Sequence, residues 1–295
     1  MLQTILHHLY YVLAGLVFGL ANVIPGVSGG TMAVVFGVYE RIINLIANIR
    51  RDLKKELPFL LCFGAGALVG IFAFARAMGW VLENHPVEAN AFFIGVILGS
   101  LPILIGFTFK VREEGKRRVH WRARVSNILP MLLTLGVMIA MFMVSDTYGA
   151  DAKDAAKVAA KSVTRVGAFD LGQSLLSLVY GVIAVTTMII PGISGSMVML
   201  MIGFYETILT AVYTLNWPIL LPFGLGCVIG LFTVAKLIKK LLSRFPHQTY
   251  SAILGFVIGS ILFIFPGWTA MLALWPLVFM VLGIALITVF NMVTD

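Results

Sequence analysis

The chain has 295 residues, of which 60% are hydrophobic and only 12% charged, and its mean hydropathy is +1.01. Soluble domains carry about 25% charged residues, so this composition excludes an ordinary water-soluble globule and makes lipid the solvent for most of the chain. The formal net charge of +8 is gathered in short runs between apolar stretches. Such runs serve membrane orientation and contact with anionic headgroups, and nucleic acid is not an expected partner.

Ten apolar segments follow one another at 9–24, 27–48, 58–80, 89–109, 126–145, 169–190, 192–215, 218–236, 249–265 and 269–291. The first resembles a signal peptide. It lacks a small-x-small cleavage site and a basic n-region, and it has a counterpart later in the chain, so it reads as retained structure. A helix needs about 20 residues to cross the hydrocarbon core. The pairs 9–24 with 27–48, and 169–190 with 192–215, are each broken at the centre by Pro, Gly and Ser. Segment 9–24 is short for a full crossing, which favours re-entrant hairpins. Cys62 and Cys227 lie inside apolar segments and read as small hydrophobes, not as a disulfide or metal pair. No metal and no cofactor is expected.

The connecting segments differ in charge. Basic residues crowd 49–57 (Arg50, Arg51, Lys54, Lys55), 110–125 (seven Lys and Arg from Lys110 to Arg124) and 236–248 (Lys236, Lys239, Lys240, Arg244). Segment 81–88 has no Lys or Arg, only Glu83, Glu88 and His85. The positive-inside rule puts the three basic segments in the cytoplasm, with both termini, and 81–88 outside. Segment 146–168 then falls outside, although Lys153, Lys157, Lys161 and Arg165 accompany its Asp residues. Its Ala-rich spacing predicts a surface helix.

The chain repeats itself. Pro25-Gly26-Val27-Ser28-Gly29 returns as Pro191-Gly192-Ile193-Ser194-Gly195, and Gly37, Tyr39 and Glu40 return as Gly203, Tyr205 and Glu206, all at an offset of 166. Pro58, Phe63, Gly64, Gly66, Gly70 and Phe72 then match Pro218, Phe223, Gly224, Gly226, Gly230 and Phe232 at an offset of 160, as do Pro86, Gly95, Gly99 and Ser100 with Pro246, Gly255, Gly259 and Ser260. Motifs at fixed spacing, with the offset changing in a loop, are the mark of a duplication. Segment 58–80 starts in the cytoplasm, whereas its match 218–236 ends there. The halves are therefore expected to be inverted, with a substrate site near the midplane where they meet. The expected fold is an all-α polytopic membrane protein. It has two inverted-topology repeats, 1–145 and 169–295, joined by an extracytoplasmic loop at 146–168. Each repeat holds a broken or re-entrant helix pair plus about three transmembrane helices.

The motif is where chemistry is expected. Irregular backbone at membrane depth persists only when buried in protein or lining a cavity. A helix starting after Pro-Gly points free N–H groups and its positive dipole end into that cavity, which suits an anion. The candidate substrate-binding residues are Pro25, Gly26, Ser28, Gly29, Gly30 and Thr31 in the first copy, and Pro191, Gly192, Ser194, Gly195 and Ser196 in the second. The alternative is a helix-packing hinge, where small residues permit close approach. Gly30-Thr31 becomes Ser196-Met197, so the two copies are not chemically equal. Arg76 and Lys236 occupy equivalent places and are candidates for cationic help, or else simply snorkel at helix ends. Glu40 and Glu206 are candidates for carrying coupling protons or ions, or for interfacial pairing with Arg41 or a Tyr.

The doubled Pro-Gly-x-Ser-Gly, each followed by Gly-x-Tyr-Glu, resembles the bacterial and archaeal polyprenyl-phosphate (undecaprenyl-phosphate) transporter family over nearly the whole chain. The resemblance implies a non-enzymatic flippase in the bacterial cytoplasmic (inner) membrane. It would return undecaprenyl phosphate from the outer to the cytoplasmic leaflet for reuse in cell-envelope synthesis. Membrane lipid and undecaprenyl or a related polyprenyl phosphate are the implied partners. Three other readings stand beside this one. An inverted-repeat carrier of a small inorganic or organic anion fits the same motifs, as does a passive lipid scramblase. Gly26-Val27-Ser28-Gly29-Gly30 also fits the nucleophile turn G-x-S-x-G, hence an intramembrane serine protease. That enzyme needs one of His7, His8, His85, His120 or His247 to reach Ser28, and the second copy breaks the pattern.

Overall fold

The computed structural model describes residues 2–23, 28–112, 119–121, 125–163 and 171–294. Thirteen helices and one small β-ribbon make up these residues. The first half contains α1 (Leu2–Val23), α2 (Gly29–Val35), α3 (Tyr39–Ala47), α4 (Ile49–Asn84) and α5 (Pro86–Phe109), then β1 (Lys110–Arg112), β2 (Val119–Trp121) and α6 (Val125–Val163). The second half contains α7 (Leu171–Ile189), α8 (Gly195–Met201), α9 (Tyr205–Tyr213), α10 (Trp217–Arg244), α11 (Pro246–Ile264), α12 (Trp268–Met271) and α13 (Leu274–Thr294). Among the described residues, six helices are long and apolar enough to cross a membrane, and two bent pairs, α2 with α3 and α8 with α9, raise that number to eight if each pair is one span.

Three expectations change in detail. The basic segment 49–57 is not a loop but the opening turns of α4, whose 36 residues extend about 54 Å, well beyond the roughly 30 Å hydrocarbon core. Its charged end therefore stands in water while its apolar end crosses. The basic segment 110–125 contains an antiparallel ribbon with Lys110 opposite Trp121 and Arg112 opposite Val119. Segment 9–24 belongs to the 22-residue α1, about 33 Å long, so it is no longer too short to cross. The predicted surface helix in 146–168 is the continuation of α6 to Val163, and the rest of that segment lies outside the described residues.

Corresponding helices of the two halves pack alike. α1 lies along α4 as α7 lies along α10, and α5 lies along α13 as α11 lies along α6. The same glycines make both contacts. Gly15 sits against the Phe63 carbonyl, and Gly181 sits against the Phe223 carbonyl, where a Cβ on either would collide. Gly66 and Gly226 meet the Val12 and Leu178 carbonyls in the same way. On the other pair of seams, Gly95 meets the Met280 carbonyl and Gly255 the Met131 carbonyl. Lipid supplies no hydrophobic drive between helices, so van der Waals contact through such small residues is what joins them. Each half's last long helix thus packs on the other half's α5 or α11. These two are the most buried spans, with 44% of each window inside the protein, against 6% for α6. The outward faces carry exposed Leu61, Phe72, Leu133, Met143, Leu225 and Val281, as suits lipid contact.

Candidate functional site

Each motif opens a helical hairpin. α2 starts beside the end of α1, where Gly29 abuts the Asn22 side chain, and it finishes where the Tyr10 hydroxyl donates to the Phe36 carbonyl. Asn22 is near one end of α1 and Tyr10 a dozen residues back, so α2 runs back along α1. In the second half, Gly195 abuts Met188 near the end of α7, and Phe204 past the end of α8 stacks against Tyr180 at 4.3 Å between ring centroids. With seven residues each, α2 and α8 extend only about 10 Å. Each is too short to cross alone and forms a bent pair with the helix that follows.

A second break, which the segments 27–48 and 192–215 ran through, follows each arm. The chain turns by 113° between α2 and α3 and by 108° between α8 and α9. Gly-x-Tyr-Glu makes this corner. Gly37 (φ +62°) donates its N–H to Val34 O at 3.0 Å and Val38 donates to Ala33 O at 2.9 Å. Gly203 (φ +73°) donates to Leu200 O and Phe204 to Met199 O, both at 3.0 Å. Both are Schellman caps, which need a left-handed residue at the first position beyond the helix. Tyr and Glu then open the next helix, so Glu40 and Glu206 lie in the first turns of α3 and α9, where an acid complements the helix dipole.

The two motifs meet. The Gly192 N–H donates to the Thr31 hydroxyl at 2.7 Å, a buried hydrogen bond between the halves. A Cβ on Gly30 would lie 3.2 Å from the carbonyl oxygens of Ile189 and Met188 and 3.3 Å from Pro191 Cα. Gly192 (φ +88°) is also pressed against the Phe256 carbonyl. The described motif glycines, Gly29, Gly30, Gly192 and Gly195, thus all lie in close packing contacts. The hydroxyls differ. Ser28 is buried at 4% exposure and its Oγ has no hydrogen-bond partner among the described residues. A buried hydroxyl without a partner forfeits its water without compensation and suits a polar ligand. Ser194 and Ser196 face each other at 3.0 Å between hydroxyl oxygens, and Ser196 is exposed. The copies are thus unequal in burial as well as in sequence, with all seven residues of α2 buried but only Gly195 and Met199 in α8. Pro25 and Gly26 lie outside the described residues, as does the Arg76 side chain.

Lys236 is exposed on α10, and among the described residues no hydrogen bond or ion pair ties it to either motif. Glu40 accepts a hydrogen bond from the Tyr250 hydroxyl on α11, the interfacial Tyr pairing set against proton coupling above. Arg41 pairs not with Glu40 but with Glu56, at 2.6 Å. Glu206 has no ion pair among the described residues. Asn22, Phe256 and Tyr250 carried no sequence signal, because each reaches the motifs or their flanks only through tertiary packing. Among the described residues the hydrolase reading finds no base. The Ser28 hydroxyl has no partner among them, His7 and His8 line a separate cavity, His85 lines another, and His247 Nδ1 sits 3.0 Å from Phe107 O. The side chain of His120 lies outside the described residues.

Helices long and apolar enough to cross lipid, around two bent helix pairs that meet through Thr31 and Gly192, define a multi-pass membrane protein with a broken-helix centre, the build of transporters. The chain belongs to the undecaprenyl phosphate translocase-like (VCA0040-like) family, whose model matches residues 18–276. It is 30% identical over 276 residues to a polyprenyl-phosphate transporter of Vibrio cholerae serotype O1, covering 88% of this chain and 79% of that one. It is 27% identical over 273 residues to a polyprenyl-phosphate transporter of Staphylococcus aureus strain NCTC 8325, covering 90% and 88%. The match is to transporters and not to enzymes. No solved structure matches the chain significantly.

Proposed function

We propose that the protein carries a polyprenyl phosphate, undecaprenyl phosphate in the first instance, between leaflets, returning it to the cytoplasmic side. A phosphate dragged through hydrocarbon is prohibitively unfavourable. A polar slot for the headgroup, with the prenyl tail left in lipid, removes most of that barrier. The contact of the two motifs through Thr31 and Gly192, beside the unpartnered Ser28 hydroxyl, is the observation that carries this reading. The start of α2 and the break before α8 converge there within an apolar protein. The names of the two relatives supply the substrate class.

The halves are read as inverted repeats. In support, α4 begins and α10 ends with basic turns, and Lys239 near the end of α10 lies close enough to Asp52 at the start of α4 for their charges to interact. Equivalent helices thus bring opposite ends to one face. Arg76 and Lys236 are read as admitting the headgroup on opposite faces, and Glu40 and Glu206 as acids available to couple a proton. The test is uptake of labelled undecaprenyl phosphate by liposomes containing the purified protein, with and without a proton gradient. Protein-dependent translocation is expected. No translocation of the lipid, together with uptake of a small anion, would replace this reading with that of an anion carrier.

A further inference from the structure

Away from the motifs, α1, α3 and α4 enclose a cavity of about 420 Å³ lined by His7, His8, Tyr11, Arg41, Lys55 and Phe59. Among the described residues no acidic side chain lines it. Arg41 is held in place from three sides. Its Nε–H donates to Glu56 at 2.6 Å, an Nη1 N–H donates to the Tyr11 hydroxyl, and the guanidinium lies 4.7 Å and 4.4 Å from the ring centroids of Tyr11 and Phe59. Guanidinium has five N–H donors in a planar fork, and stacking on aromatic faces fixes that plane. The Nη2 group is left without a partner among the described residues. Lys55 is exposed and has no ion pair among the described residues, and two imidazoles line the cavity with it. A fixed guanidinium with unused donors, a mobile ammonium and two further nitrogen groups form a receptor for a compact polyanion.

We propose that this cavity is a second docking site, separate from the paired motifs, for a phosphate monoester headgroup at the face carrying the basic start of α4. The proposal rests on the transport of a phosphorylated lipid set out above. A monoester brings nearly two negative charges and three acceptor oxygens at neutral pH, whereas a phosphodiester of bulk lipid brings one charge. Glu56 already neutralises much of Arg41, so the second charge and the extra oxygens are what Lys55 and the imidazoles select. The Tyr11 and Phe59 rings give the first isoprene units an apolar wall. A free phosphate ion shares the headgroup chemistry but gains nothing from that wall.

Binding of farnesyl phosphate to the purified full chain in phosphatidylcholine nanodiscs, followed by titration calorimetry, tests the site. Lys55→Gln should weaken binding roughly three- to ten-fold and Arg41→Gln by more than roughly ten-fold. Lys240→Gln, on the exposed surface of α10, controls for diffuse surface charge and should bind as the parent does. Melting temperatures check each fold. Should Arg41→Gln unfold, the exposed and unpaired Lys55 decides alone. Weaker competition by inorganic phosphate than by farnesyl phosphate assigns the site to the lipid headgroup, and equal competition assigns it to the free ion. Parent-like binding by a folded Lys55→Gln, equal weakening by Lys240→Gln, or equal competition by phosphatidylglycerol overturns the proposal. Binding is read without translocation. Intact binding with no lipid transport therefore sinks the transport reading and not the pocket, and active transport with unaltered binding in the variants does the opposite.

Discussion

The Thr31 hydroxyl accepts the Gly192 N–H at 2.7 Å, so a side chain of the first motif completes the backbone of the second. Thr31→Val keeps the shape and removes the acceptor. The buried N–H then lacks a partner, at a cost of about 1–3 kcal/mol. A lower melting temperature and slower lipid uptake are expected, with Thr31→Ser close to the parent in both. Equal behaviour of the Val and Ser variants would mean that the bond does not join the halves.

The Gly-x-Tyr-Glu corner should depend on a dihedral angle alone. Nothing lies within 4 Å of a Cβ built on Gly203, yet its φ is +73°. Gly203→Ala should destabilise by about 1–2 kcal/mol, and Gly203→Asn by less, because Asn tolerates the left-handed region. Thermal unfolding in detergent reads the difference. An Ala variant as stable as the parent would show that the corner relaxes.

Ser28 separates a ligand group from a structural one. Its hydroxyl is buried without a partner, so Ser28→Ala should leave the melting temperature equal or raise it. Transport should nonetheless slow several-fold if the phosphate uses that hydroxyl. A hydrolase would instead lose all activity with the nucleophile. Gly29→Val and Gly195→Val are expected to abolish transport, but the structure gives a reason apart from ligand access. The new side chains meet Asn22 and Met188. Their stability must therefore be measured beside their activity.

Inversion is tested by accessibility. With Cys62 and Cys227 replaced, single cysteines at Arg51 and Arg244 should label from one side of the membrane, and those at Asn84 and Thr214 from the other. Labelling of Arg51 and Arg244 from opposite sides would make the repeats parallel.

Neutral Gln at Arg76 or Lys236 should slow transport at constant protein level, with a different dependence on which leaflet is loaded. Parent rates in both variants would return the two residues to snorkelling at helix ends.

Some of this was legible in the residues alone. Apolar runs of about 20 residues force helices, because unpaired backbone is intolerable in hydrocarbon. Matching glycines at offsets of 166 and 160 pointed to a duplication, because small residues such as glycine let a helix approach a neighbour's carbonyl. Pro-Gly marks a break wherever it stands, since it removes a donor and relaxes a dihedral. Other features had no local cause. The corner at Gly37 and Gly203 passed unread inside continuous apolar runs, because a left-handed glycine has the same letter as a packing glycine. Which neighbour a motif glycine touches, Asn22 or Phe256 as against an anion, is set by helices distant in sequence. The pairing of Arg41 with Glu56 in place of Glu40, and of Glu40 with Tyr250 some 210 positions away, likewise depends on how α3 lies against α4 and α10, within reach of Tyr250 on α11. Hydropathy and spacing act along the chain, and so they determined the elements and their repetition. Short-range contacts between side chains act across it, and those only the tertiary structure decided.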